Sequence, residues 1–184
     1  MKHFILFTGH MIDAKDRAKP RFPVHKEAAV REEIYQHLLR YKTKYNNIEG
    51  IASGACGGDI LFHECCAELN IPTQIYLAMP ADEFKKNSVS FAGEDWDKRF
   101  NELTKKLPVH VLPANSENTS MNVYERTNEW MLQTALAFGG KNMTLIALWD
   151  GGGGDGKGGT EDMIKIAKEK GAAADVIDIK NITL

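Results

Sequence analysis

Short apolar runs alternate with amphipathic segments along the whole of this chain. Apolar runs typical of buried strands lie at residues 3–8, 48–53, 73–79, 109–112, 143–149 and 174–179. Between them, apolar residues recur at helical spacing over residues 26–45, 59–69, 96–107, 123–138 and 161–170. Strands that alternate with helices predict an α/β fold whose mostly parallel sheet is covered on both faces.

Length and charge narrow the class of protein. The 184 residues predict one domain over residues 1–184, long enough to bury a core. A formal net charge of −2 argues against non-specific nucleic-acid binding. No apolar run reaches membrane-spanning length, and the first residues lack a signal-peptide pattern. We therefore expect a cytoplasmic protein without a membrane partner.

The cysteines add no cross-link and no metal site to this prediction. Cys56, Cys65 and Cys66 are the three cysteines, and their spacing fits neither a disulfide framework nor a zinc site. We expect reduced thiols, no metal ion and no required cofactor. Of the three, Cys56 is the one expected near a ligand.

A glycine-rich segment at residues 150–160 is the strongest functional signal. It joins a predicted strand to a predicted helix. Glycines let an anion approach the backbone closely, and a helix N-terminus adds N–H donors and a positive dipole end. We expect Gly158, Gly159 and Thr160 to bind phosphate, with residues 151–154 as an approach that closes on binding. The alternative is a surface loop without a ligand.

Residues 53–59 form a second glycine-rich turn between a predicted strand and a predicted helix. The functional interpretation places the backbone of this turn against a phosphate or ribose. The structural alternative makes Asp59 a helix cap and uses the glycines for close packing. The candidate residues are Ser53, Gly54, Ala55, Cys56, Gly57, Gly58 and Asp59. Their spacing matches neither the Gly-x-Gly-x-x-Gly dinucleotide fingerprint nor a P-loop, so a standard dehydrogenase or P-loop NTPase is not supported.

Two long connections follow predicted strands, at residues 9–25 and 80–95. Loops of this length in a compact α/β domain are usually functional, and both leave the ligand-binding edge of the sheet. They bring basic and polar residues to that edge, which suits an anionic ligand. These residues are Lys15, Arg17, Lys19, Arg21, Lys85, Lys86, Asn87 and Ser88.

Further candidates lie on other segments. Thr8 and Gly9 end the first strand at the same edge, next to His10. On the predicted helix 123–138, Tyr124, Asn128 and Met131 share one face, from which Arg126 is turned away. Arg126 and Asn128 are candidate phosphate and ribose ligands, or members of a solvated helix face. Glu64 and Glu161 are the first carboxylates to test for acid–base chemistry.

These motifs, in this order, resemble those of a known superfamily. Residues 53–59 resemble the Ser-Gly-x-Ala-x-Gly-x-Asp signature of the DNA-processing protein A family, although Ala55-Cys56 stands where that pattern has a residue and then Ala. Arg126, Asn128 and Met131, then an apolar strand and Gly158-Gly159-Thr160, are similar to the SLOG superfamily, which includes the Lonely Guy phosphoribohydrolases. The resemblance implies a Rossmann-like three-layer sandwich, a nucleotide-like ligand, and a homodimer as one candidate assembly.

Three hypotheses follow. The first is binding of a nucleotide or nucleotide-derived small ligand. The second is an N-glycoside hydrolase acting on nucleoside 5′-monophosphates, with Glu64 or Glu161 at the sugar. Lonely Guy enzymes carry Pro-Gly-Gly-x-Gly-Thr-x-x-Glu, whereas Met163 stands here at the glutamate position and the proline is missing, so the sequence favours binding over hydrolysis. The third, single-stranded DNA binding, lacks a basic and aromatic stripe.

Overall fold

The computed structural model describes residues 1–113, 121–152 and 159–183, and within these ranges it contains six strands and six α-helices. Every predicted strand and helix is present, with ends shifted by a few residues. The elements are β1 (His3–Gly9), α1 (Glu27–Lys44), β2 (Ile48–Ala52), α2 (Gly58–Glu68), β3 (Thr73–Leu77), α3 (Ala81–Ser88), α4 (Glu94–Lys106), β4 (Val109–Val111), α5 (Val123–Ala135), β5 (Met143–Trp149), α6 (Thr160–Glu169) and β6 (Ala173–Asp178).

All six strands form one parallel sheet in the order β4-β3-β2-β1-β5-β6. The chain moves outward from β1 to β4 and then returns to β5 on the other side of β1. Connections therefore leave the carboxyl ends of β1 and β5 in opposite directions, which opens a crevice where α/β sheets bind ligands. The predicted α/β class and parallel sheet are confirmed.

Alternate residues of the central strands enter two separate cores. In β1, Ile5 and Phe7 pack with side chains of α1, α2 and α4, whereas Phe4 and Leu6 pack with side chains of α5 and α6. Each such buried side chain stabilises the fold by roughly 2 kcal/mol relative to exposure. The sheet is therefore the middle layer of a Rossmann-like three-layer sandwich. None of the helices in the described ranges has the length and apolar character that a bilayer crossing requires.

The predicted long loop at residues 80–95 is wrong, because helix α3 and a 3₁₀ turn at Ser90–Ala92 occupy most of it. Phe84 and Ser88, one helical turn apart, are buried on the inner face of α3. Acidic residues lie in its first turn and basic residues in its last, as the helix dipole favours. Helix α3 has only eight residues and one large apolar side chain, so its sequence shows no apolar periodicity that would predict a helix.

The other long connection, at residues 10–23, is packed onto the sheet edge. Met11 forms an isolated antiparallel bridge with Gly57, and the Ile12 N–H donates to the Cys56 carbonyl at 3.2 Å. Ile12 and Phe22 are buried in the core beside α2. These anchors place the connection beside the crevice at β1 and β5.

Candidate functional site

A cavity of about 670 Å³ opens at the crevice between β1 and β5. Such a volume is typical of small-molecule sites. Its wall is built from the ends of both strands, the connection at residues 10–23, the turn before α2, and parts of α3, α5 and α6. The predicted site residues in this wall are Thr8, Gly9, Ser53, Ala55, Asp59, Asn128, Gly159 and Thr160.

The end of β1 brings a histidine to the cavity. Gly9 pairs with Leu148 of β5, and a Cβ atom at Gly9 would lie 2.8 Å from the Leu148 Cβ, so the close approach of these strands requires glycine. His10 lines the cavity, and its Nε2 lies 3.1 Å from Oδ1 of Asp150. Burial lowers the pKa of His10, while the hydrogen bond to Asp150 opposes that shift.

The connection at residues 10–23 contributes positively charged side chains to the cavity wall. Arg17 and Arg21 both line the cavity, and both disfavour protonation of His10 through their charge. Asp13 organises this segment: its carboxylate accepts the Arg21 N–H at 2.9 Å and lies 3.4 Å from the Arg17 Nε. Lys15, Lys19, Lys85 and Lys86, predicted to share the basic edge, are not among the cavity residues that the structure describes.

The start of α6 reaches the cavity, as the glycine-rich segment predicts. Gly159 is the N-cap residue of α6 and Thr160 its first residue, and no side chain caps this end in the described part of the chain. Gly158 and the other residues of 153–158 lie outside the described residues. Before this gap, the Gly152 N–H donates to Asp150 at 3.1 Å, which ties the turn after β5 to the His10 pair.

Aromatic and polar side chains from α5 and the segment after α3 complete the wall. Tyr124, Asn128 and Met131 all line the cavity, so the predicted shared face of α5 is confirmed. Phe91 faces the same space and, like Tyr124, is 42% exposed. Phe91 was missed by sequence reasoning because an isolated aromatic residue inside an apparent loop carries no periodic signal. The N-terminus of α5 is fixed by a capping box between Asn122 and Glu125.

The turn before α2 is not built as a phosphate-binding loop. Its N–H groups donate to protein acceptors: Ala55 to the Asp59 carboxylate at 3.2 Å, Cys56 to the Ser88 carbonyl at 3.0 Å and Gly58 to the His10 carbonyl at 3.1 Å. The prediction that this backbone contacts phosphate is therefore wrong for these three donors. Ser88 and His10, which accept from Cys56 and Gly58, lie far away in the sequence, so the spacing of the glycines did not indicate these contacts.

Several residues of this turn pack against the protein instead of facing the cavity. A Cβ at Gly54 would lie 3.0 Å from the ring of Phe100, and one at Gly58 would lie 3.0 Å from that of Phe7. Gly57 has a φ of 98°. Cys56 is buried, which raises the pKa of its thiol to about 12, so the prediction that it meets a ligand is not supported.

Asp59 differs from its neighbours because it is buried and yet lines the cavity. It is the second residue of α2, whose N-cap is Gly57, so the alternative that Asp59 is the helix cap is wrong. Burial raises the pKa of its carboxyl group to about 7, which the Ala55 N–H only partly opposes.

The two carboxylates predicted for acid–base chemistry lie elsewhere. Glu64 accepts two hydrogen bonds from Arg99 of α4, at 2.8 and 2.7 Å, and does not line the cavity. Glu161 is exposed in the first turn of α6 and is also absent from the wall. Met163 is buried in the core under α6, so this position faces away from solvent.

Arg126 also lies outside the cavity wall. Its Nη2 donates to the carbonyl of Pro113 at 3.3 Å. The predicted pairing of Arg126 with Asn128 at one ligand is therefore not formed, because the two side chains leave α5 on different faces.

Comparison with known proteins leaves the family open. Neither the family models nor the curated protein sequences that we compared with this chain give a match. The resemblance to the SLOG superfamily consequently remains a prediction.

Proposed function

We propose that this protein binds a nucleotide or a nucleotide-derived small ligand in the cavity at the β1–β5 crevice. The observation that carries the proposal is the mixed chemistry of one wall. Cationic groups, a helix N-terminus and aromatic side chains surround about 670 Å³ at the topological switch point of a parallel sheet.

The anionic end of the ligand fits the side of the cavity formed by Arg17, Arg21 and the start of α6. Arginine binds phosphate through paired N–H donors, and a helix N-terminus offers backbone N–H groups and a positive dipole end. Thr160 adds a hydroxyl group at the same helix start. These groups come from distant parts of the chain, which makes their convergence at one cavity more informative than any single loop.

The base fits the aromatic side of the wall. Phe91 and Tyr124 present partly exposed rings, and stacking on an aromatic ring contributes about 1–3 kcal/mol per base. Asn128 supplies an amide that both donates and accepts hydrogen bonds. Inorganic phosphate would use none of these groups, so the wall favours an anion that carries a flat apolar part.

The hydrolase alternative has less support. Glycoside hydrolysis needs a carboxylate at the scissile bond, and both Glu64 and Glu161 lie outside the cavity wall. Asp59 is the carboxylate of the wall that is buried, and it is the residue to test for that chemistry.

The test is a panel of nucleoside mono-, di- and triphosphates, NAD, ribose 5-phosphate and inorganic phosphate. Binding is measured by thermal shift and titration calorimetry. We expect nucleotides to raise the melting temperature and the two base-free anions to have little effect. Chromatography of the same mixtures detects released base, which would establish the hydrolase in place of a pure binding protein.

Variants assign the site. Arg17→Gln should weaken nucleotide binding and reduce its dependence on salt, whereas the control Arg31→Gln should not, because Arg31 pairs with Glu68 outside the cavity wall. The double variant Gly159→Ala with Thr160→Val should also weaken binding. If every ligand-induced shift survives in that double variant, α6 does not bind the anion.

A further inference from the structure

Asp59 is a buried carboxyl group in the cavity wall that lacks a cationic partner among the described residues. Its side chain accepts a hydrogen bond from the Ala55 N–H at 3.2 Å, and no salt bridge in the described ranges includes it. The Asp59 side chain is only 7% exposed, whereas Arg17 in the same wall is exposed. An ionised carboxylate accepts several hydrogen bonds, so this one has capacity left for a ligand.

A phosphate group does not fit at this position. An ionised Asp59 repels an anion, and the neighbouring N–H groups of Ala55, Cys56 and Gly58 already donate to protein acceptors. The complementary group is a hydrogen-bond donor, and the donors of a nucleotide are uncharged groups such as hydroxyls. In a nucleotide, the donors nearest the phosphate are the hydroxyl groups of the sugar.

We propose that Asp59 accepts hydrogen bonds from the sugar hydroxyls of the ligand, so that the cavity selects ribonucleotides with free 2′- and 3′-hydroxyls over deoxynucleotides. This assignment rests on the proposed function. The phosphate then lies toward Arg17, Arg21 and α6, while the sugar lies over the start of α2. A hydrogen bond to a charged acceptor changes affinity by about 10-fold or more.

Binding of this kind is coupled to proton release. Because burial raises the pKa of Asp59 to about 7, a large share of the free protein carries this proton at neutral pH. Hydroxyl donors stabilise the ionised carboxylate and lower that pKa. Among the residues that the structure describes, the other charged or titratable groups of the wall are His10, Asp13, Arg17, Arg21, Tyr124 and Glu125, and the Cys56 thiol lies beside Asp59. Proton release that is lost when Asp59 is substituted can be assigned to Asp59, and release that persists comes from the other groups.

The experiment compares each ribonucleotide of the panel with its 2′,3′-dideoxy counterpart, on the wild-type protein and on Asp59→Asn. Titration calorimetry at pH 7 in two buffers of different ionisation enthalpy gives the affinity and the number of protons released. Asparagine retains an oxygen for the Ala55 N–H, and the melting temperature reports whether the variant is folded.

For the wild type we expect about 10-fold or tighter binding of the ribo form, with proton release. In Asp59→Asn both the preference and the proton release should fall strongly, while affinity for the dideoxy form stays near the wild-type value. Equal wild-type affinities for the two sugars, or a preference that persists in the variant, would overturn the assignment. If no nucleotide of either sugar binds the wild type, the proposed function is wrong and the assignment fails with it.

Discussion

His10 and Asp150 join the ends of the two strands at which the sheet changes direction. His10 follows β1, Asp150 follows β5, and their side chains meet at 3.1 Å although 140 positions separate them in the sequence. Asp150 is further held by the Gly152 N–H. Burial would raise the pKa of Asp150, but this N–H and His10 stabilise its ionised form and lower the pKa. The pair thus orients an imidazole ring in the cavity wall.

Replacement of Asp150 by Asn should lower the pKa of His10 further. The Asp150 carboxylate favours the protonated imidazole through a hydrogen bond and its charge, and Asn removes the charge. An NMR titration of the His10 ring measures this effect. Glu129→Gln, on the exposed side of α5, is a charge-matched control and should leave the titration unchanged. An unchanged or higher His10 pKa in Asp150→Asn would show that the pair is not formed.

Asp59→Asn should stabilise the protein at alkaline pH. The folded-state pKa of Asp59, about 7, lies above the ordinary value of 3.8, so the folded state holds the proton more tightly and loses stability as the pH rises between these values. Above pH 7 the buried carboxyl group of the wild type is ionised, which lowers the free energy of unfolding. At pH 8 the free energy of unfolding of the variant should therefore be about 2–4 kcal/mol higher than that of the wild type. Denaturant unfolding at pH 4 and pH 8 checks this, since the difference should largely vanish at pH 4. A variant less stable than wild type at both values would make Asp59 a structural residue.

Gly57→Ala should destabilise the fold by about 2 kcal/mol or more. Gly57 has a φ of 98°, and a Cβ there would lie 2.6 Å from the Ile12 backbone nitrogen. Gly93, with a φ of 114° and no atom near its virtual Cβ, is a matched control. Gly93→Ala should lower the free energy of unfolding by about 1 kcal/mol, because only backbone strain opposes it. Urea unfolding gives the loss in free energy of unfolding for both variants, and the difference between the two losses is the effect of the steric contact. Equal losses would mean that the connection at residues 10–23 does not contact a side chain at this position.

Glu64→Gln should weaken the fold without changing nucleotide binding. Arg99 bridges Glu64 of α2 and Glu27 of α1 from its place on α4, and its guanidinium group stacks on Trp96 at 3.9 Å. Loss of one carboxylate in this partly exposed cluster should lower the free energy of unfolding by about 1 kcal/mol. Glu102→Gln, in an exposed pair at 4.0 Å, should cost less. A loss of nucleotide affinity in Glu64→Gln, measured by calorimetry, would restore Glu64 as a ligand contact.

The fold was predicted well because its signals are local. Apolar runs separated by amphipathic segments determine strands and helices wherever a core face is long enough, as in β5, whose bounds match the prediction. The helix α3 was missed because it buries one large side chain, Phe84. Two of the segments in the cavity wall, Thr8-Gly9 and Gly159-Thr160, could be selected from the sequence because they lie at a predicted strand end and a predicted helix start.

What failed in the site depends on partners distant in the sequence. The turn at residues 53–59 has the composition of an anion-binding loop, yet Ser88 and His10 accept its N–H donors. Phe91 and the pairing of Asp150 with His10 likewise arise only when separate segments meet.

The sequence by itself determined the alternation of strands and helices, the two buried faces of the sheet and the glycine-rich turns, because periodicity and backbone freedom are local properties. Tertiary structure alone decided which donors remain for a ligand. The order of strands places β5 beside β1, and the packing of residues 10–23 and α3 provides acceptors for the N–H groups of Cys56 and Gly58. The proposed anion site therefore lies at Arg17, Arg21 and the start of α6, and Asp59 is the buried carboxyl group of the cavity wall.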